Sequence, residues 1–241
     1  TIIWIFGNYV DKIIFISICN SIFAFVCYKL AVRFRCYPLL AYLIIITNFY
    51  FYVCYFSAER LKFSLLFFSL SLLYVKHKKN STILTLLSIL CHLQILILII
   101  CNYLPNFNYK SFKSNKWLIF IFVLLVAVLF IQIIPYISYK LSVYLFRYLD
   151  WEGLIKIFIF FIFSLKYSSN KNLVYLVFFP ILFFLLLLSG ERVTIFAYFI
   201  FMFFAIQYRR GFNFGLIFVN LYFLYKSVFF IDNIIKFGDG F

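Results

Sequence analysis

The sequence predicts an all-α integral membrane protein, and three observations carry that prediction. Hydrophobic residues make up 67% of the 241 positions and charged residues only 12%, a balance outside the soluble globular range. The apolar residues gather into runs approaching the ~20 needed to cross about 30 Å of hydrocarbon. The basic residues, 22 Lys and Arg against 7 Asp and Glu, sit in short loops between those runs. A soluble protein with a net charge of +15 would be expected to meet nucleic acid. Loop-placed Lys and Arg instead read as membrane-orientation signals. The expected partner is the lipid bilayer, with no nucleic acid.

Taken in order, residues 1–12 read as an end or loop carrying Asp11 and Lys12. The first span is 13–31, followed by a basic turn with Lys29, Arg33 and Arg35. The second is 38–56, opened by Pro38 and closed by Ser57-Ala58-Glu59-Arg60. A short third span, 61–75, leads into Lys76-His77-Lys78-Lys79. Residues 81–109 are apolar, too long for one crossing and too short for two, with His92 and Gln94 in the middle and basic loops at both ends. That pattern predicts a re-entrant helical hairpin turning near His92, allowed where other helices shield the turn from lipid. Further spans are expected at 117–134, 153–165, 173–188, 193–207 and 212–230. The total is about eight transmembrane helices plus the hairpin, in a single polytopic domain over 1–241. Because the chain opens on Thr1 rather than Met, that domain is expected to lack its N-terminal start.

Charge supports the hairpin. Alternating the sides places Lys29, Arg33, Arg35, Lys76, Lys78, Lys79, Lys110, Lys113, Lys116, Lys166, Lys171, Arg209 and Arg210 on one face, more than half of the 22 basic residues. All 7 acids, Asp11, Glu59, Asp150, Glu152, Glu191, Asp232 and Asp239, fall on the other. An ordinary crossing at 81–109 would scramble this separation, so the positive-inside bias selects the hairpin.

The acid-bearing face holds the candidate chemistry. Glu59-Arg60 and Glu191-Arg192 each stand at the outer end of a span, Arg147, Asp150 and Glu152 occupy the outer loop, and His92 caps the hairpin. Ionisable groups at membrane depth are costly and mark functional sites by default. Arginine offers a planar fork of donors matched to phosphate, so Arg60 and Arg192 are candidates to hold a lipid-linked diphosphate. His92 can serve as a base near neutral pH or as a structural residue satisfying backbone groups at the turn. Lys62, Lys140, Lys156 and Lys236 are expected only to snorkel and pair locally, and His77 to be solvated. The six cysteines are scattered without a CxxC pair, and there are two histidines, so neither a metal nor a cofactor is expected. The cysteines read as small apolar fillers. The GxxxxGK[ST], HExxH and GxSxG patterns are absent, which argues against ATP-driven pumping and a soluble-type hydrolase core.

Several of these features together carry a resemblance. They are an arginine opening an apolar helix (Glu59-Arg60-Leu61-Lys62-Phe63), a basic turn (Lys76 to Lys79), a small-residue helix ending in histidine (Ser88-Ile89-Leu90-Cys91-His92), and a later Ser189-Gly190-Glu191-Arg192 with Tyr198 downstream. The arrangement resembles EpsG/Wzy-type polysaccharide polymerases, over roughly residues 37–236. The resemblance implies a multi-pass protein of the bacterial inner membrane. Such a protein joins oligosaccharide repeat units carried on undecaprenyl diphosphate at the periplasmic face, in O-antigen, capsule or exopolysaccharide synthesis. It implies a metal-independent glycosyltransferase with His92, Glu59 and Glu191 as catalytic candidates and Arg60, Arg192, Arg147 and Asp150 as substrate-binding candidates. The implied partners are the lipid-linked oligosaccharide and a chain-length regulator. Three other readings stay open: a flippase or transporter of lipid-linked sugars, a structural subunit of an organellar respiratory complex, and a membrane O-acyltransferase.

Overall fold

The computed structural model describes residues 11–103, 151–188 and 191–237, and among them the chain is helical with no strand. The chain forms two compact units. The first is Thr1–Leu96 with Met202–Phe241, the second Ile97–Phe201.

In the first unit, α1 (Lys12–Arg33) starts where Asp11 accepts a hydrogen bond from Ile13 N at 2.8 Å, the usual role of an acidic N-cap. It buries Phe23, Val26 and Cys27 and exposes Ile13, Ile14, Ile18, Ile22 and Phe25. Large apolar side chains on the outer face of a helix fit a lipid solvent. The helix ends with Arg35 N bonded to Val32 O and Cys36 N to Ala31 O, and Arg35 takes φ +70°. Glycine usually holds that left-handed position, and any other residue there costs about 1 kcal/mol.

Pro38, at a position that suits its missing N–H, opens α2 (Pro38–Thr47), and α3 (Phe49–Phe56) follows after Asn48. The two helices are bent by 57° at the break. Asn48 is extended, and its side-chain oxygen accepts from Tyr50 N at 3.0 Å to start the new helix. Its amide donates to Asn220 Oδ1 at 2.9 Å, and Ser227 Oγ lies 2.9 Å from Thr47 O. Both partners belong to α10 (Phe214–Phe237), so the polar groups released by the bend are satisfied from a neighbouring helix. Rings of Phe49, Tyr50, Phe223 and Phe230 pack around this junction.

After a corner at Ser57-Ala58, α4 (Glu59–Leu73) runs antiparallel to α5 (Lys78–Cys91). Small hydroxyl residues line their contact. Ser64 Oγ donates to Ser88 O at 2.8 Å, and Ser81 Oγ to Ser71 O at 3.0 Å. Such residues let helix backbones approach closely in an apolar medium. The expected break at His92 is present: α5 stops there, and a 3-10 turn at Leu93–Ile95 leads into α6 (Leu96–Tyr103).

The first unit is completed by residues from Met202 onward. A 3-10 turn at Tyr208–Gly211 has Arg209 and Arg210 at φ +48° and +55°. It locks against the 34–37 turn: Tyr37 N donates to Arg210 O at 3.0 Å, and the rings of Tyr37 and Phe212 lie 5.4 Å apart. Gly211, at φ +90°, would place a Cβ 2.9 Å from Leu40 Cδ2 and 3.3 Å from Cys36 Sγ. The backbone therefore demands glycine there, and a side chain would also have to push Leu40 aside.

In the second unit, α7 (Trp151–Tyr167) packs on α8 (Lys171–Leu188). Cys101 Sγ of α6 lies 3.3 Å from Val177 O, and Phe160 contacts Tyr198 and Phe201 of α9 (Glu191–Gln207). Pro180 sits inside α8.

The expectation of about eight crossings is corrected by helix length. Among the described residues, Ile13–Arg33 and Phe214–Phe237 are long and apolar enough to span a membrane, with a third possible if α2 and α3 count as one bent span. At 1.5 Å per residue, the 15 residues of α4 cover only about 22 Å, and the 17 residues each of α7 and α9 about 25 Å. Each falls short of 30 Å of hydrocarbon. The expected span at 117–134 lies outside the described residues. The far arm of the expected hairpin belongs to the second unit from Ile97 to Tyr103 and lies outside the described residues beyond it.

Candidate functional site

The corner between α3 and α4 positions the first pair of candidates. Ser57 N and Ala58 N both bond to Val53 O, at 2.9 and 2.8 Å, closing α3. Ala58, the N-cap of α4, offers no side-chain cap. Among the described residues the first N–H groups of α4 thus have no side-chain cap, and such helix starts attract negative charge. Glu59 in the first turn partly answers that field.

Helical rotation of about 100° per residue then separates the charges that follow. Arg60 is exposed, whereas Lys62, some 200° further round, is buried to 1% exposure. Lys62 Nζ donates to Asn20 Oδ1 of α1 at 2.7 Å, and Asn20 Nδ2 donates to Tyr55 O at 3.3 Å. The ammonium also lies 5.8 Å from the Phe63 ring and within electrostatic reach of Glu59. Burying an ammonium costs several kcal/mol unless it is well paired. Among the described residues its hydrogen bond goes to an amide oxygen rather than a carboxylate. Lys62 thus departs from the snorkelling expected of it.

His92 works as a double cap. Its N–H bonds to Ser88 O at 3.2 Å, its carbonyl accepts from Ile95 N at 3.1 Å, and its Nδ1 lies 3.4 Å from Gln94 N. This is the arrangement expected of a histidine satisfying backbone groups at a helix break.

Lys156 and Lys236 pair locally as expected, although Lys156 is buried and does not reach outward. Lys156 pairs with Glu152 at 2.6 Å and Lys236 with Asp232 at 2.8 Å, each one turn away. Glu191 opens α9, two residues ahead of the expected span at 193–207, but its side chain and that of Arg192 lie outside the described part. Arg147, Asp150 and Lys140 lie outside it entirely. Glu59, Arg60 and His92 belong to the first unit.

Among the described residues no cluster of three or more His, Cys, Asp or Glu side chains is placed to hold a metal, and all six cysteines are free. Cys27, Cys36, Cys54 and Cys101 are buried, which suits small apolar fillers, although Cys36 lies in a turn rather than a helix. Burial pushes the Cys36 thiol up to about 11. In the second unit an apolar groove of about 580 Å³ is lined by Phe161, Tyr175, Leu176, Phe178, Phe179 and Pro180, among others.

Comparison with known protein families, curated proteins and solved structures finds no match to this chain.

Proposed function

We propose that this chain is a multi-pass protein of the bacterial inner membrane that joins lipid-diphosphate-linked oligosaccharide repeat units at the periplasmic face. The observation that carries the reading is the start of α4, where Arg60 stands exposed beside a helix N-terminus that has no side-chain cap. An arginine fork and free N–H groups together favour a phosphate-bearing leaving group, and developing charge on that group is what such donors stabilise. Arg192, at the start of α9, is the second candidate to hold the diphosphate, with Arg147 and Asp150 contributing from the outer loop. His92, Glu59 and Glu191 are the candidate proton-transfer groups at the acceptor hydroxyl. The remaining implied partner is a regulator of chain length.

One observation favours a second reading, a transporter of the same lipid-linked sugars. Transporters bind substrate at broken helices, and α2 and α3 are broken at Asn48. Transporter symmetry calls for matching breaks in both halves. Among the described residues the breaks at Asn48 and His92 both lie in the first unit, which weighs against it.

The experiment is complementation in cells lacking the protein, read as glycan length on a gel. Cells without it should display lipid capped by a single repeat unit, since initiation and export do not require polymerisation. Arg60→Lys and Arg192→Lys, which keep charge but lose the fork, should each slow polymerisation about a hundredfold. Wild-type lengths at normal protein levels would remove both arginines from the site. Repeat units trapped inside with no capped lipid would favour the transporter.

A further inference from the structure

One end of the first unit gathers positive charge in an unusual backbone setting. Arg33 at the end of α1 donates from Nη1 to Leu73 O at the end of α4, tying the 34–37 turn to the loop that carries Lys76, Lys78 and Lys79. Tyr37 N bonds to Arg210 O, tying the same turn to Tyr208–Gly211. Three turns distant in sequence thus converge, and Arg33, Arg35, Arg209, Arg210 and the three lysines are all exposed. No acid occurs in 33–37, 74–79 or 208–213. Orientation of the chain requires only a sufficient count of basic residues near the membrane, and any exposed loop position would serve. Here Arg35, Arg209 and Arg210 occupy left-handed conformations that glycine would adopt without strain. The two strained turns lock together through their backbones, which glycine would serve equally well, so arginine at all three left-handed positions points to a ligand for the side chains. The guanidinium groups are flanked by exposed apolar side chains, Tyr37, Leu39, Phe212 and Phe214. A soluble anion has no use for such a flank, whereas a phospholipid presents a phosphate beside acyl chains.

We propose that this end of the first unit is a docking surface for anionic phospholipid headgroups, gripped by Arg35, Arg209 and Arg210 with the Tyr37–Phe212 ring pair against the upper acyl chain. The site does not depend on which reaction the protein performs.

The test titrates phosphatidylglycerol, phosphatidylcholine or inorganic phosphate into the detergent-solubilised full chain and follows the rise in Tm that accompanies binding. Phosphatidylglycerol should raise Tm, and phosphatidylcholine and inorganic phosphate should not. Arg35→Gly/Arg210→Gly relieves the backbone while removing two charges. It should raise Tm in the absence of lipid and move the phosphatidylglycerol midpoint roughly thirtyfold higher. Arg209→Lys/Arg210→Lys should move it far less, and Lys166→Gln/Lys171→Gln, in the second unit, not at all. An unchanged midpoint in the glycine variant would overturn the proposal, as would equal stabilisation by inorganic phosphate. If the glycine variant does not fold, the wild-type decides: binding that weakens steeply with added salt supports the surface, and salt-independent binding overturns it.

Discussion

Removing either partner of the Asn20–Lys62 contact gives opposite results if the ammonium is buried as described. Lys62 is 1% exposed, and its Nζ is 2.7 Å from Asn20 Oδ1. Asn20→Leu leaves a buried charge without its acceptor, which costs about 3 kcal/mol. Lys62→Met keeps most of the volume and removes the charge with its desolvation cost. It leaves Asn20 Oδ1 without its donor, worth about 1–2 kcal/mol, so the net change should be within about 1 kcal/mol of zero. The double variant Asn20→Leu/Lys62→Met joins two apolar side chains and should be at least as stable as wild-type. The cycle therefore predicts a coupling of about 3 kcal/mol between the two positions. Reversible unfolding in mixed micelles, followed by loss of helical circular dichroism, measures all four proteins. An Asn20→Leu variant within about 0.5 kcal/mol of wild-type, or a coupling near zero, would refute the argument. It would show that the lysine reaches the interface by snorkelling.

Further outcomes follow from other parts of the structure. Asn48→Leu loses a helix cap and a buried side-chain pair with Asn220, and should cost about 2–3 kcal/mol in the same unfolding assay. An effect below 0.5 kcal/mol would mean the bend survives without them. With the other cysteines replaced, Cys36 should react with iodoacetamide about a hundredfold more slowly at pH 8 than a free thiol, because burial raises its pKa from 9.0 to about 11. The sign is fixed by the thiolate being the reactive form, so the rate should rise tenfold per pH unit up to about pH 10. A plateau below pH 9 would contradict the raised value. Single cysteines at Asn80 and Ser114 should label from the same side if residues 81–109 form a re-entrant hairpin, and opposite sides would make the segment an ordinary crossing.

Hydropathy made the helical class plain, since runs such as 13–31 and 212–230 reappear as α1 and α10, the second extended to Phe237. It was a poor guide to span length, because an apolar run continues across a break that the backbone does not. Asn48 is one polar residue in an aromatic stretch and barely lowers the local hydropathy, yet its short side chain is suited to start a new helix and does so. The Asn ahead of Phe49-Tyr50-Phe51 was the available signal. His92 was easier to read, as a polar residue in an otherwise apolar run of awkward length. Lys62 was misjudged because lysines near helix ends usually reach outward. Its spacing told otherwise: Lys62, Leu65, Leu66 and Ser69 share one stripe, and all four are buried. Arg60 falls outside that stripe. Contacts between distant turns, such as Tyr37 with Arg210, leave no trace in local pattern.

The bend at Asn48 also has a consequence for the bilayer around it. Laid end to end, the 10 residues of α2 and 8 of α3 would reach roughly 27 Å. Folded by 57°, they reach roughly 22 Å along the axis of α2. If the pair forms one bent span, a membrane with about 30 Å of hydrocarbon has to yield to so short an element, and lipids do so by thinning locally at modest cost. The corner at Ser57-Ala58, and Arg60 just beyond it, would then lie in a dimple where headgroups and water descend. On the proposed function, a lipid carrying its cargo on a phosphate would meet the arginine there without leaving the leaflet.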